Sequence, residues 1–140
     1  MDQPVHIMLV EDDEIEAEAF QRAMRAHPLP LHVTVAADGV EALQTLRSEA
    51  DQHAMPHIIF LDLNLPRMSG LEFLQVLRRD PHLRSRVVFV LTTSGRIEDR
   101  HAAYQEQVAG YILKSRVGQH YAHLFAMLER YCTINEPPPA

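Results

Sequence analysis

The sequence has no tryptophan, one cysteine and few aromatic residues, which make up 6% of the chain. A lone Cys132 excludes an intrachain disulfide and any cysteine-based zinc centre. The formal net charge is -6, and no run of lysine or arginine interrupts it. A nucleic-acid partner would need a basic face and stacking aromatics, and the chain offers neither. No apolar run approaches the roughly 18 residues of a membrane span. The N-terminus, MDQPVHIMLVEDDE, turns acidic after a short apolar run and shows no basic region or cleavage site, so a cytoplasmic protein is expected. Neither repeats nor a domain linker are visible, and 140 residues suit one domain. What is present is ample apolar material, 46% of residues, with 23% charged.

That apolar material comes in short blocks. Val5 to Val10 reads as a strand ended by Glu11, Asp12 and Asp13. A helix follows from about Glu14 to Ala26, with Ile15, Ala19, Phe20 and Ala23 expected on one face, and Pro28 and Pro30 close it. Leu31 to Ala36 is a second strand. Asp38 and Glu41 have capping-box spacing before a helix carrying Val40, Leu43 and Leu46. Ile58 to Leu61 is an uninterrupted apolar strand. Ser69 and Glu72 form another capping box, and Leu71, Phe73, Leu74 and Leu77 follow until Asp80-Pro81 stops the helix. Val87 to Leu91 is a fourth strand. A more polar helix is expected around Glu98 to Gln107, then a fifth strand from Tyr111 to Leu113. The last helix carries Tyr121, Leu124, Phe125 and Leu128, and residues 132–140 form a Pro-rich tail, expected extended or disordered.

Five strands alternating with five helices predict a parallel sheet covered on both faces, a doubly wound three-layer α/β sandwich. The third and fourth strands are apolar throughout, as doubly buried strands should be. Ligands in such folds bind beyond the carboxyl ends of the strands. Those ends carry polar groups: Glu11, Asp12 and Asp13 after the first strand, Asp62 after the third, Thr92, Thr93 and Ser94 after the fourth, and Lys114 after the fifth. Neighbouring strands lie about 5 Å apart, so the carboxylates would converge and repel. A divalent cation relieves that repulsion, and an all-oxygen site suits magnesium with a phosphate oxygen. Lys114 and the Thr92 hydroxyl would meet an incoming anion, with a carboxylate as nucleophile.

The acidic set in LVEDDE, the stretch LDLNLPRMSG, VLTTS and GYILKS closely resemble the receiver domain of bacterial two-component response regulators, over about residues 5–131. The resemblance implies a flavodoxin-like five-stranded parallel sheet in order 2-1-3-4-5, a receiver domain over 1–131 and a tail over 132–140. It implies that Asp62 accepts a phosphoryl group. Glu11 and Asp12 would be the acidic pair, with Asp12 a direct ligand of Mg2+ and Asn64 offering its backbone carbonyl. Thr92 would be the switch hydroxyl, Lys114 the phosphate-binding lysine, Tyr111 the switch aromatic, and Asn64 and Ser94 the residues that tune phosphoryl lifetime. Pro66 and Gly70 would shape the loop. Three departures stand out. Ser115 follows Lys114 where the family usually has a cis-proline, Thr93 replaces alanine, and Asp13 adds a third acid. The LTTS and LKS endings with a tyrosine-bearing last helix and Pro-rich tail are similar to the single-domain regulators of phytochrome-type histidine kinases, which form homodimers through that helix and tail.

The implied function is phosphotransfer from a sensor histidine kinase to Asp62, read out by the surface of the fourth helix, fifth strand and fifth helix. The protein would be no enzyme beyond its own phosphorylation and slow dephosphorylation. Two alternatives compete. A haloacid-dehalogenase-type phosphatase also uses an aspartate at a strand end, but it needs a second acid where this chain has Asn64. A degenerate receiver could serve as a phosphorylation-independent docking or dimerisation module. Taken singly, the acids could be helix-capping groups, Asp62 a turn residue and Lys114 a solvated strand end. Their joint occurrence at four strand ends favours a site. Nine histidines are present, and His120 and His123 have i, i+3 helical spacing without an evident third ligand, which leaves surface histidines as the default.

Overall fold

A computed structural model describes residues 4–140. The elements, in chain order, are β1 (Val5–Val10), α1 (Glu14–Ala26), β2 (Leu31–Ala36), α2 (Gly39–Asp51), β3 (Ile58–Leu61), α3 (Gly70–Arg79), β4 (Val87–Thr92), α4 (Ile97–Gln105), β5 (Gly110–Leu113) and α5 (Ala122–Ile134). Two short 3-10 turns, Lys114–Arg116 and Gln119–Tyr121, join β5 to α5. All strands are parallel, in the expected order β2-β1-β3-β4-β5.

Strand side chains alternate between two cores. Ile7 and Leu9 of β1, Ile58 and Phe60 of β3, and Phe89 and Leu91 of β4 face Phe20 and Met24 of α1 and Leu124, Phe125 and Leu128 of α5. Met8, Val10, Ile59, Leu61, Val88 and Val90 face Leu43 and Leu46 of α2, Phe73, Leu74 and Leu77 of α3, and Ala103 of α4. This gives the three layers. The fully apolar runs in β3 and β4 follow from it, because both faces of these strands are buried.

Short polar residues start the helices. Asp13 caps α1 by accepting from the Ile15 and Glu16 amides. Ser69 and Glu72 complete the capping box of α3. At α2 the box is only half made. Asp38 accepts from the Glu41 amide, but the Glu41 carboxylate reaches the Ala37 N–H rather than that of Asp38.

Some expected details differ. In α1 the buried residues are Ala17, Phe20 and Met24, while Ile15 is 82% exposed and Ala19 is exposed. The alanine–glutamate alternation of this helix offers two possible apolar stripes, and contact with Phe60 and Tyr121 selects the one centred on Phe20. His120 and His123 do not share a helix. His120 sits in a left-handed conformation (φ 53°) in the turn before α5, and Tyr121 follows in the same region (φ 62°). No cis peptide occurs among the described residues, so Lys114–Ser115 is trans and the chain enters a 3-10 turn there. Helix α5 runs through Ile134, so residues 132–134, expected in the tail, are helical, and residues 135–140 carry no regular secondary structure. The tail returns beneath the sheet, where the Pro139 carbonyl accepts from the buried Arg86 guanidinium at 2.6 Å.

Candidate functional site

Register brings the acids together. Val10 of β1 pairs with Leu61 of β3, so Glu11 and Asp62 leave the sheet side by side. Both are buried, whereas Asp12 is exposed. Ligand oxygens of Glu11, Asp12 and Asp62 all lie within 4.8 Å of one another. Three hard oxygen donors with no sulfur or nitrogen among them fit a magnesium-type ion.

Lys114 reaches into this cluster from the end of β5. Its Nζ donates to Glu11 Oε1 at 2.7 Å, to Asp62 Oδ2 at 3.0 Å, and to Glu16 Oε2. Burial opposes its charge, but the three carboxylates outweigh burial and raise its pKa above the ordinary lysine value. Burial also pushes Glu11 up to about 7, aided by a shared hydrogen bond with Glu16 and opposed by Lys114. Glu16 moves the other way, held low by that hydrogen bond to Glu11 and by Lys114.

The Asp62 carboxylate is oriented from both sides. The Asn64 backbone N–H donates to Oδ1 at 3.1 Å, while Lys114 holds Oδ2. Gly70 makes the close approach of α3 possible. A Cβ at Gly70 would stand 2.5 Å from the Asp62 carbonyl oxygen and 2.7 Å from Leu63 Cα. The Gly70 N–H closes the loop onto the Leu63 carbonyl at 3.0 Å. Arg67, in a left-handed conformation (φ 63°), ties the loop to Asp38 with its Nε at 2.8 Å from Oδ2.

A second polar group lies at the end of β4. The fully buried Thr92 hydroxyl accepts from the Ser94 N–H at 3.2 Å. Ser94 Oγ donates to Asp99 of α4 at 2.6 Å, and the Tyr111 hydroxyl donates to the Ser94 carbonyl at 2.9 Å. Thr93 points to solvent. The sequence-expected residues thus fall into two clusters: Glu11, Asp12, Asp62, Asn64 and Lys114 in one, Thr92, Ser94 and Tyr111 in the other. Glu16 and Asp99 were not anticipated. Both sit near helix N-termini, where an acid reads as a dipole partner. The available signal was Glu16's place one turn past Asp12, which aims it back over the strand end.

Residues 7–124 match the model of the response regulator receiver domain. The chain is 34% identical over 115 residues to the response regulator Rcp1 of Synechocystis sp., covering 81% of this chain and 78% of that one. Among solved structures it is similar to the phosphorylated cyanobacterial phytochrome response regulator RcpA, with TM-score 0.86, 32% identity, and 97% and 99% of the two chains covered. It is also similar to the Mn2+-bound form of Rcp1, with TM-score 0.83, 29% identity, and 96% and 99% covered.

Proposed function

The chain belongs to the response regulator receiver domain family, and from that premise we propose that it is a phosphorylation-driven switch whose phosphoacceptor is Asp62. The observation that carries this reading is the Asp62 carboxylate held between the Asn64 N–H and the Lys114 ammonium, with Glu11 and Asp12 at ligand distance. Its donor is the phosphohistidine of a sensor histidine kinase, and the likeness to RcpA and Rcp1 supports a kinase of the phytochrome type.

A carboxylate oxygen of Asp62 attacks phosphorus. The new O–P bond forms as the donor's N–P bond breaks, and the electron pair returns to the imidazole. Lys114 neutralises charge on the phosphoryl oxygens. Glu11, Asp12 and Asp62, with the Asn64 carbonyl, are the groups that would hold Mg2+. That ion supplies electrostatic stabilisation of the transferring phosphoryl group when bound.

The readout begins at Thr92. Its hydroxyl turns to a phosphoryl oxygen and gives up the Ser94 N–H, which loosens the Ser94–Asp99 and Ser94–Tyr111 contacts. Only Ala103 of α4 is buried, so this helix is weakly anchored and can respond. The surface of α4, β5 and α5 then binds its target or a second copy of the chain. The Asn64 and Ser94 side chains flank the path of hydrolytic water and set the lifetime.

Intact mass after incubation with acetyl phosphate tests this, with and without magnesium, on the protein and on Asp62→Asn. One added phosphoryl group that needs magnesium and Asp62 is expected. An unlabelled protein that a competent histidine kinase also fails to label would remove the switch reading in favour of phosphorylation-independent docking.

A further inference from the structure

Lys114 is the only lysine in the sequence, and its ammonium group is saturated. An ammonium has three donors. Here all of them go to carboxylates, those of Glu11, Asp62 and Glu16. Nothing is left for a phosphoryl oxygen. If Asp62 is the phosphoacceptor, one of the three bonds must break before Lys114 can serve the transferred group. We propose that Glu16 is the acid that yields, an internal counter-ion that competes with the phosphoryl group for Lys114 and so restrains phosphorylation.

Geometry singles out Glu16. The Glu11 side chain is 5% exposed and comes from the sheet end, so withdrawing it means dragging a carboxylate through the core. Asp62 is the reacting group. Glu16 is 41% exposed and stands on the first turn of α1, from which it can swing to water at little cost. There is also room for the exchange. A cavity of about 180 Å³ behind Lys114 is lined by Glu11, Glu16, Phe20, Lys114, Val117 and Tyr121. Charge points the same way. Of the three acids on Lys114, Glu16 is the one outside the Glu11, Asp12 and Asp62 cluster that would hold a cation. Its negative charge repels the incoming phosphate without contributing a ligand.

This inference rests on the phosphoacceptor reading of Asp62, and one set of measurements separates the two. Acetyl phosphate labels Asp62 by forming an O–P bond as its own P–O bond breaks, with acetate leaving on the electron pair. Labelling rates are compared for the protein and Glu16→Gln at low and high salt. The variant should label about twofold to fivefold faster at low salt, and the advantage should shrink at high salt, which screens the competing charge. A second readout needs no metal. In EDTA, urea midpoints of Glu16→Gln, Lys114→Met and the double variant form a cycle. Neutralising Glu16 should be more favourable in the Lys114→Met background, where only acid–acid repulsion remains. A variant that labels at the parent rate or slower, or an additive cycle, overturns the competition while leaving Asp62 as acceptor. A parent protein that neither acetyl phosphate nor a competent histidine kinase labels overturns both.

Discussion

The Tyr111 hydroxyl donates to the Ser94 carbonyl at 2.9 Å, bridging β5 to the loop whose N–H rests on the Thr92 hydroxyl. That single bond joins the expected switch pair through a third residue. Tyr111→Phe should cost about 0.5–1.5 kcal/mol in urea denaturation. It should also weaken any change in α4 on phosphorylation, read by hydrogen exchange of 97–105 with and without acetyl phosphate.

The Glu11 carboxyl keeps its proton up to about 7 instead of 4.5. A bound cation requires the carboxylate, so magnesium binding should release protons and strengthen as pH climbs through about 7. Titration calorimetry in buffers of different ionisation enthalpy would measure that release. Without metal the sign reverses. The folded state holds a proton that the unfolded state has lost, so this contribution to stability is complete below 4.5 and disappears as pH rises through about 7. Glu11→Gln should flatten both profiles.

Gly70 is a packing requirement with a chemical consequence. Its hypothetical Cβ meets backbone atoms of Asp62 and Leu63, which cannot move aside as a flexible side chain could. Gly70→Ala should destabilise by about 1–3 kcal/mol. It should also slow Asp62 labelling by acetyl phosphate, because the carboxylate would be displaced from Lys114. A parent-like midpoint and rate would show that α3 can retreat freely.

Ile15 is a large apolar side chain on the surface, beside the acids at the start of α1. It suits docking of a kinase rather than chemistry. A groove of about 910 Å³ lies further along the same helix, between α1 and α5, and begins at Ala19. Ile15→Ala should slow transfer from a histidine kinase by about fivefold, the scale of a 1 kcal/mol contact. Labelling by acetyl phosphate should be unaffected.

The buried Arg86 guanidinium donates to the carbonyls of Pro56 and Pro139. Its Nη2 also donates to Ser85 Oγ at 3.1 Å, so deleting residues 136–140 would remove one of three acceptors. A loss of about 1–3 kcal/mol of unfolding free energy, read as a lower urea midpoint, is expected. An unchanged midpoint would mean that water replaces the tail.

The strands were the most legible part of the sequence, for a physical reason. β1, β2 and β3 have the expected bounds because buried apolar runs end abruptly at acids, prolines or polar loops. Strand ends then located Glu11, Asp62, Thr92 and Lys114 without coordinates. Helix faces were harder. Ala19 and Ile15 of α1 read as core and are not, because alanine marks a stripe only weakly. The Ser94 to Asp99 bond gave no sequence signal, and for Glu16 to Lys114 only the one-turn spacing past Asp12 hinted at it, since both depend on helix rotation against the sheet. His120 and Tyr121, which break the apparent helix, are left-handed without being glycines, and Gly118 two residues earlier was the one nearby sign.

The Lys114 contacts also bear on how the protein is made. Its partners lie 103, 98 and 52 residues earlier in the chain. Contacts so distant in sequence close late, after shorter loops have formed. A chain emerging from the ribosome therefore presents Asp62 well before the lysine that completes its surroundings has been synthesised. Until β5 docks, the acids stand together without their cation. On the proposed phosphoacceptor role, labelling of Asp62 would then report finished folding, because β5 must dock before Lys114 stands beside it.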